Sequence, residues 1–146
     1  MRAGNSAIPD TVALDEARCE LVLLDQTRLP GETVFLRISD EQALFSAIAR
    51  LSVRGAPAIG VAAALGLYVC AARLHEPEPA CFIARVRETA ARLAAARPTA
   101  VNLQWALDRM IRTLDGGLGG VPALVDALHV EALRIRDEDI EVCRRI

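Results

Sequence analysis

The stretch LSVRGAPAIGVAAALGL, Leu51–Leu67, sets the permanently charged Arg54 ahead of Gly55, Ala56, Pro57 and a run of small apolar residues. Proline suits the first turn of a helix, so a helix is predicted to start at Pro57. The first backbone N–H groups of a helix have no partners within it, and they carry the positive end of its dipole. Gly55 has no Cβ, so the backbone there can come close to a ligand. Arg54 adds a planar fork matched to phosphate oxygens. Together these groups can cradle a phosphate. A plain helix start with a surface arginine uses the same residues, and spacing alone does not separate the two readings.

RPTAVN, Arg97–Asn102, repeats the logic. Arg97 stands just before a second expected helix start, with Thr99 as the capping hydroxyl. Two arginines at junctions of the same type can converge on one anion if the two helices lie side by side. A capped helix with an exposed arginine is the plainer reading.

Other side chains that could do chemistry point elsewhere. Asp108 and Arg112 are spaced to pair on a helix surface. Trp105 reads as packing, and Asp137, Glu138 and Asp139 as a solvated acidic face. His75 and His129 are isolated, which suits structural or solvent-facing roles. Cys19, Cys70, Cys81 and Cys143 form no C-x-x-C pair and stand near no histidine at ligand spacing. They read as reduced thiols, so no metal or cofactor is expected. No carboxylate pair, Ser-His-Asp set or glycine-rich nucleotide loop stands out. The sequence offers binding groups without a catalytic engine.

Composition narrows the partners. The chain has 146 residues, enough for one domain, and 53% of them are apolar, enough for a core. A formal charge of −2 gives no electrostatic argument for nucleic acid or an anionic membrane. Aromatic residues make up 3%, which argues against base-stacking platforms. The N-terminus lacks the apolar core of a secretory signal. The apolar run Ala56–Ala72 falls short of the ~20 residues a membrane span needs. A cytoplasmic protein is expected.

The elements that must position the arginines follow from periodicity. Residues 1–18 read as a flexible lead-in. CELVLLDQ and ETVFLRI flank the turn-like TRLPG and predict a β-hairpin. Ser39 and Gln42 form a capping box for a first helix carrying Leu44, Phe45, Ile48 and Leu51. The second helix, from Pro57, is apolar nearly all round and belongs in the middle of a bundle. Gly60 and Gly66 let its neighbours approach closely. A third helix spans 78–96 and stops at Arg97, before Pro98. The fourth follows Thr99 and ends at DGGLGG. The fifth starts at Pro122 and shows no stop signal before Ile146, so a truncated piece is expected. The predicted fold is mainly α: a helical bundle, residues 19–146, preceded by a small N-terminal β-hairpin.

LLDQTRLPGE, VRGAPAIGVAAALGL and RPTAVNLQWALDRM closely resemble the N-terminal part of the methylthioribose-1-phosphate isomerases, and EDIEVCRRI resembles that family's connecting helix. The match runs from about Glu20 to the last residue. Ribose-1,5-bisphosphate isomerases and the regulatory subunits of a translation-initiation exchange factor match less fully. The resemblance implies isomerisation of 5-methylthioribose 1-phosphate to 5-methylthioribulose 1-phosphate in methionine salvage. The anomeric phosphate prevents simple ring opening, so an acid must assist. It implies substrate contacts from Arg54, Gly55, Ala56 and Arg97, no cofactor, and a homodimer at full length. The family's catalytic cysteine and aspartate lie in a C-terminal Rossmann-like domain that this chain lacks. No catalytic residue is therefore carried over, and the chain alone is expected to be inactive. Gln104 stands where the family has a bulkier apolar residue. The alternatives are a non-catalytic regulatory module like the exchange-factor subunits, or an isomerase of another ribose 1-phosphate derivative.

Overall fold

The computed structural model describes residues 11–50, 56–115 and 119–145, apart from the side chains of 56 and 143–145. Three strands come first: β1 Val12–Asp15, β2 Glu20–Leu24 and β3 Phe35–Ile38. Five helices follow: α1 Glu41–Ala49, α2 Ala56–Ala72, α3 Pro79–Ala94, α4 Val101–Arg112 and α5 Gly120–Arg145. The chain is mainly α with a small N-terminal antiparallel sheet, as its periodicity predicts.

Helix α2 occupies the middle. Ile59, Val61, Ala62, Ala63, Ala64, Leu65, Leu67 and Val69 are all buried. A helix with no polar face must be surrounded. Here α1, α3, α4, α5, β1 and β2 all lie against it. Among the described residues, no helix is long and apolar enough to cross a membrane.

The sheet has order β1-β2-β3, antiparallel throughout. Alternation sends Leu21 and Leu23 of β2 into the core, and Ile38 of β3 joins them opposite Leu21. The expected hairpin is therefore β2–β3. The lead-in expected over 1–18 is corrected at Val12–Asp15, which forms β1 and pairs Val12 with Leu23 and Asp15 with Glu20. Its turn to β2 holds Cys19 at φ 51°, a conformation that cysteine does not advertise in sequence. Arg37 of β3 ties the sheet together by bonding both Glu20, at 2.8 Å, and Asp15.

Several helix ends differ from expectation. Asp40, not Ser39, caps α1, accepting from the Ala43 N–H at 2.8 Å. Asp40 stands immediately before the first helical residue, and its charged carboxylate takes the position. Leu44 and Ile48 are buried, but Phe45 is 36% exposed, and Leu51 lies outside the described residues. Helix α2 starts at Ala56, one residue ahead of Pro57. Helix α3 starts at Pro79 behind a Glu78 cap and ends at Ala94, short of the expected Ala96. Ala100, not Thr99, is the residue before α4, and it has no side chain to cap with. Helix α5 starts at Gly120, two residues before Pro122. Gly119 and Gly120 have φ of +95° and +85°, values that favour glycine.

Candidate functional site

Helices α2 and α4 meet at Gly60. A Cβ there would stand 3.1 Å from the Asn102 carbonyl oxygen and 3.6 Å from the Ala106 Cβ. A side chain here would push α4 back by a few tenths of an ångström, so glycine permits the close approach. The first turns of both helices consequently line one cavity of about 430 Å³. Pro57, Gly60 and Val61 come from α2, and Val101, Asn102 and Trp105 from α4. Helix α5 closes the cavity with Ile135, Glu138, Asp139 and Val142.

The start of α4 differs from those of α1 and α3. Asp40 and Glu78 cap the latter two with carboxylates. The α4 start has no side-chain cap bond, so its first N–H groups lack that acceptor. Arg97 is half-buried on the turn joining α3 to α4, where the Ala100 N–H donates to the Arg97 carbonyl at 3.0 Å. Its guanidinium makes no hydrogen bond or ion pair among the described residues, and Arg97 is not part of the cavity wall. Arg54 and Gly55 lie outside the described residues. Ala56 is the first residue of α2. The structure thus sets the two helix starts beside one cavity, with Arg97 just ahead of one of them.

The cavity wall is mostly apolar, and its charges are unequal. Arg109 donates to both Glu138 carboxylate oxygens at 2.6 Å, and this holds the Glu138 carboxyl below the usual range. Arg109 also bonds Glu131, and its guanidinium lies 5.3 Å from the Trp105 ring centroid. Asp139 is half-buried, and burial pushes its carboxyl up. The solvated acidic face expected at 137–139 holds for Asp137 and Glu138, which are exposed, and is corrected at Asp139. Asp137 is exposed beside Arg136, whereas Glu138 is clamped and Asp139 faces the cavity.

Three further expectations resolve here. Trp105 is 48% exposed on the cavity rim rather than packed in the core. Asp108 accepts from Gln104 at 3.2 Å and does not pair with Arg112. His129 stacks on Tyr68 at 4.7 Å and lies 3.0 Å from Glu16, a structural setting. Burial pushes the Cys70 thiol up to about 12, so it is not a poised nucleophile. No metal-holding cluster occurs among the described residues. Sequence reading missed the roles of Glu138 and Asp139. The signal was apolar spacing at 135 and 142 on the same helical face.

The bundle and its paired helix starts belong to a known class of protein. The chain is a member of the initiation factor 2 subunit family, whose profile matches residues 52–146. Within that family it is similar to sugar-phosphate isomerases. It is 53% identical over 135 residues to a methylthioribose-1-phosphate isomerase of Anaeromyxobacter sp., covering 92% of this chain and 36% of the relative. It is 46% identical over 128 residues to a 5-deoxyribose 1-phosphate isomerase of Moorella thermoacetica, covering 87% and 36%. The crystal structure of 5-methylthioribose 1-phosphate isomerase from Pyrococcus horikoshii superposes with a TM-score of 0.88 at 31% identity, over 93% of this chain and 38% of that one. Subunit delta of translation initiation factor eIF-2B from A. fulgidus superposes with a TM-score of 0.83 at 30% identity, over 90% and 37%. The chain spans between 36% and 38% of the length of these relatives.

Proposed function

We propose that this chain is the N-terminal, substrate-holding part of an aldose–ketose isomerase that converts 5-methylthioribose 1-phosphate to 5-methylthioribulose 1-phosphate. The observation that carries this is the uncapped start of α4, which faces the same cavity as the first turn of α2, with Arg97 on the turn ahead of it. Unpartnered N–H groups and a fixed positive charge suit a phosphate monoester. In this reading Arg54, Gly55, Ala56 and Arg97 hold the substrate phosphate. The acid that assists ring opening and the groups that move the proton between carbons come from outside residues 1–146. The chain alone is therefore inactive, and the complete protein is a cytoplasmic homodimer without nucleic-acid or membrane partners.

The non-catalytic alternative draws on the likeness to eIF-2B subunit delta. One experiment separates the two. Residues 1–146 replace the corresponding segment of the Anaeromyxobacter relative, and the chimera is assayed with 5-methylthioribose 1-phosphate. Turnover near that of the parent supports the isomerase reading. A folded chimera without turnover supports the binding-module reading. In an active chimera, Arg97→Ala should lower kcat/KM about 10–100-fold, since a charged hydrogen bond contributes about 1.5–3 kcal/mol. Arg97→Lys should restore only part of this, because it keeps the charge without the fork. An unchanged kcat/KM with a sharply lower melting temperature would make Arg97 structural.

A further inference from the structure

The cavity beside the helix starts is built from two chemistries. At one end lie the first turns of α2 and α4, where the proposed reading sets the phosphate. Further along α4 stands Trp105, three or four residues on, about 5 Å by helical rise. That distance is comparable with the width of a ribose ring. Val61, Ile135 and Val142 give the cavity an apolar wall beside Trp105, and Asn102, Glu138 and Asp139 are its polar lining residues. Val101 is 77% exposed and Val142 58%, so this apolar rim is open rather than filled by the chain itself.

Trp105 is held in place despite its exposure. The Arg109 guanidinium lies over its ring, and Arg109 is itself fixed by Glu131 and Glu138. The Arg109 side chain is 16% exposed and that of Glu131 12%, so this clamp is largely shielded from water. A rigid indole wall backed by a shielded ion pair is a preformed surface, which lowers the ordering cost of binding.

The relatives' substrates match the two ends. Methylthioribose 1-phosphate and 5-deoxyribose 1-phosphate carry the phosphate at one end, and at carbon 5 they carry a methylthio group or hydrogen instead of a hydroxyl. We infer that the Trp105 wall, with Val142, receives the carbon-5 end of the sugar phosphate and sets which 5-substituent is accepted. The inference rests on the proposed isomerase reading. A methylthio group gains apolar contact on Trp105 and Val142, whereas a 5-hydroxyl turned onto these two side chains would lose water without a partner there; the polar groups of the cavity are Asn102, Glu138 and Asp139.

The test uses the chimera described above with three substrates: 5-methylthioribose 1-phosphate, 5-deoxyribose 1-phosphate and ribose 1-phosphate. Chimeras carrying Trp105→Ala and Trp105→Phe are compared with it. One methylene in an apolar pocket is worth about 10–200-fold in discrimination. Trp105→Ala should therefore lower kcat/KM for the methylthio substrate at least tenfold more than for the 5-deoxy substrate. It should also narrow the preference of either over ribose 1-phosphate. Trp105→Phe should keep most of the discrimination. Equal losses on all three substrates would overturn the inference while leaving the isomerase reading intact. Absence of turnover in the folded starting chimera would overturn both.

Discussion

Arg109 grips Glu138 with both terminal nitrogens, each 2.6 Å from a carboxylate oxygen, and so binds the last turn of α4 to the C-terminal half of α5. Paired forks of this kind are stronger than single bonds and fix geometry as well. The same guanidinium bonds the poorly exposed Glu131, so removing it leaves that carboxylate with only Arg134, at 3.5 Å, as its partner among the described residues. Arg109→Met should lower the unfolding free energy by about 1–3 kcal/mol. Arg109→Lys should recover only part of that. An unchanged urea midpoint for Arg109→Met would show that the clamp is not stabilising.

Gly66 is predicted to reject a methyl group. A Cβ there would meet Leu44 Cδ1 at 2.9 Å and Cδ2 closer still, and Leu44 is fully buried. Alanine improves helix propensity by about 1 kcal/mol over glycine. Overpacking a filled core costs about 1–3 kcal/mol, and here it should win. Gly66→Ala should therefore destabilise the chain. In a Leu44→Ala background the same change should become neutral or stabilising, because the clash is gone. Additive effects in denaturant unfolding would contradict the packing argument.

The pH dependence of stability has one clear contributor in Glu41. Arg92 bonds its carboxylate, and the buried Thr89 hydroxyl donates to it at 3.2 Å. The Arg92 hydrogen bond holds the Glu41 carboxyl below its ordinary value of 4.5. A lowered folded-state pKa stabilises the fold above the ordinary value, and the gain is lost as pH falls through the lowered one. Glu41→Gln should therefore be less stable than the parent at pH 7. The gap should close as the pH drops below about 4.5. Thermal melts from pH 7 to pH 3 check this, and a gap that stays constant would argue against it.

Asp139 carries the opposite sign. Burial raises its carboxyl above the ordinary 3.8, so ionisation opposes folding. The penalty is absent below the ordinary value, grows as pH rises past it, and levels off above the raised value. Asp139→Asn should accordingly raise the melting temperature at pH 7 and leave it unchanged near pH 3. A lower melting temperature at pH 7 would mean that the carboxylate has a favourable role in the folded chain.

Much of the fold was legible because α2 and α4 state their surroundings in their own residues. An all-apolar segment such as Ile59–Val69 has nowhere to go but the middle of a bundle, and two glycines in it foretell close neighbours. Val12–Asp15 was not legible, since four residues gain strand character only by pairing with β2. The α4 cap was misread because Thr99 has the right hydroxyl but stands one residue too early. The cavity was legible only in part. The helix starts at Ala56 and Val101 are local signals. Their closure by Ile135, Glu138, Asp139 and Val142 depends on how a distant helix docks, which no local pattern specifies.

The burial of α2 has a consequence for motion. Four helices and two strands share this one helix as their common neighbour. None of them can detach without wetting part of a surface that has no polar side to offer. Partial opening is therefore costly, and the chain should unfold as one cooperative unit. The backbone amides of Ala62–Leu67 should be the slowest to exchange with deuterium, at a rate set by global unfolding alone. The first turn of the same helix belongs to the candidate site, so the site is anchored to the part of the chain that yields last.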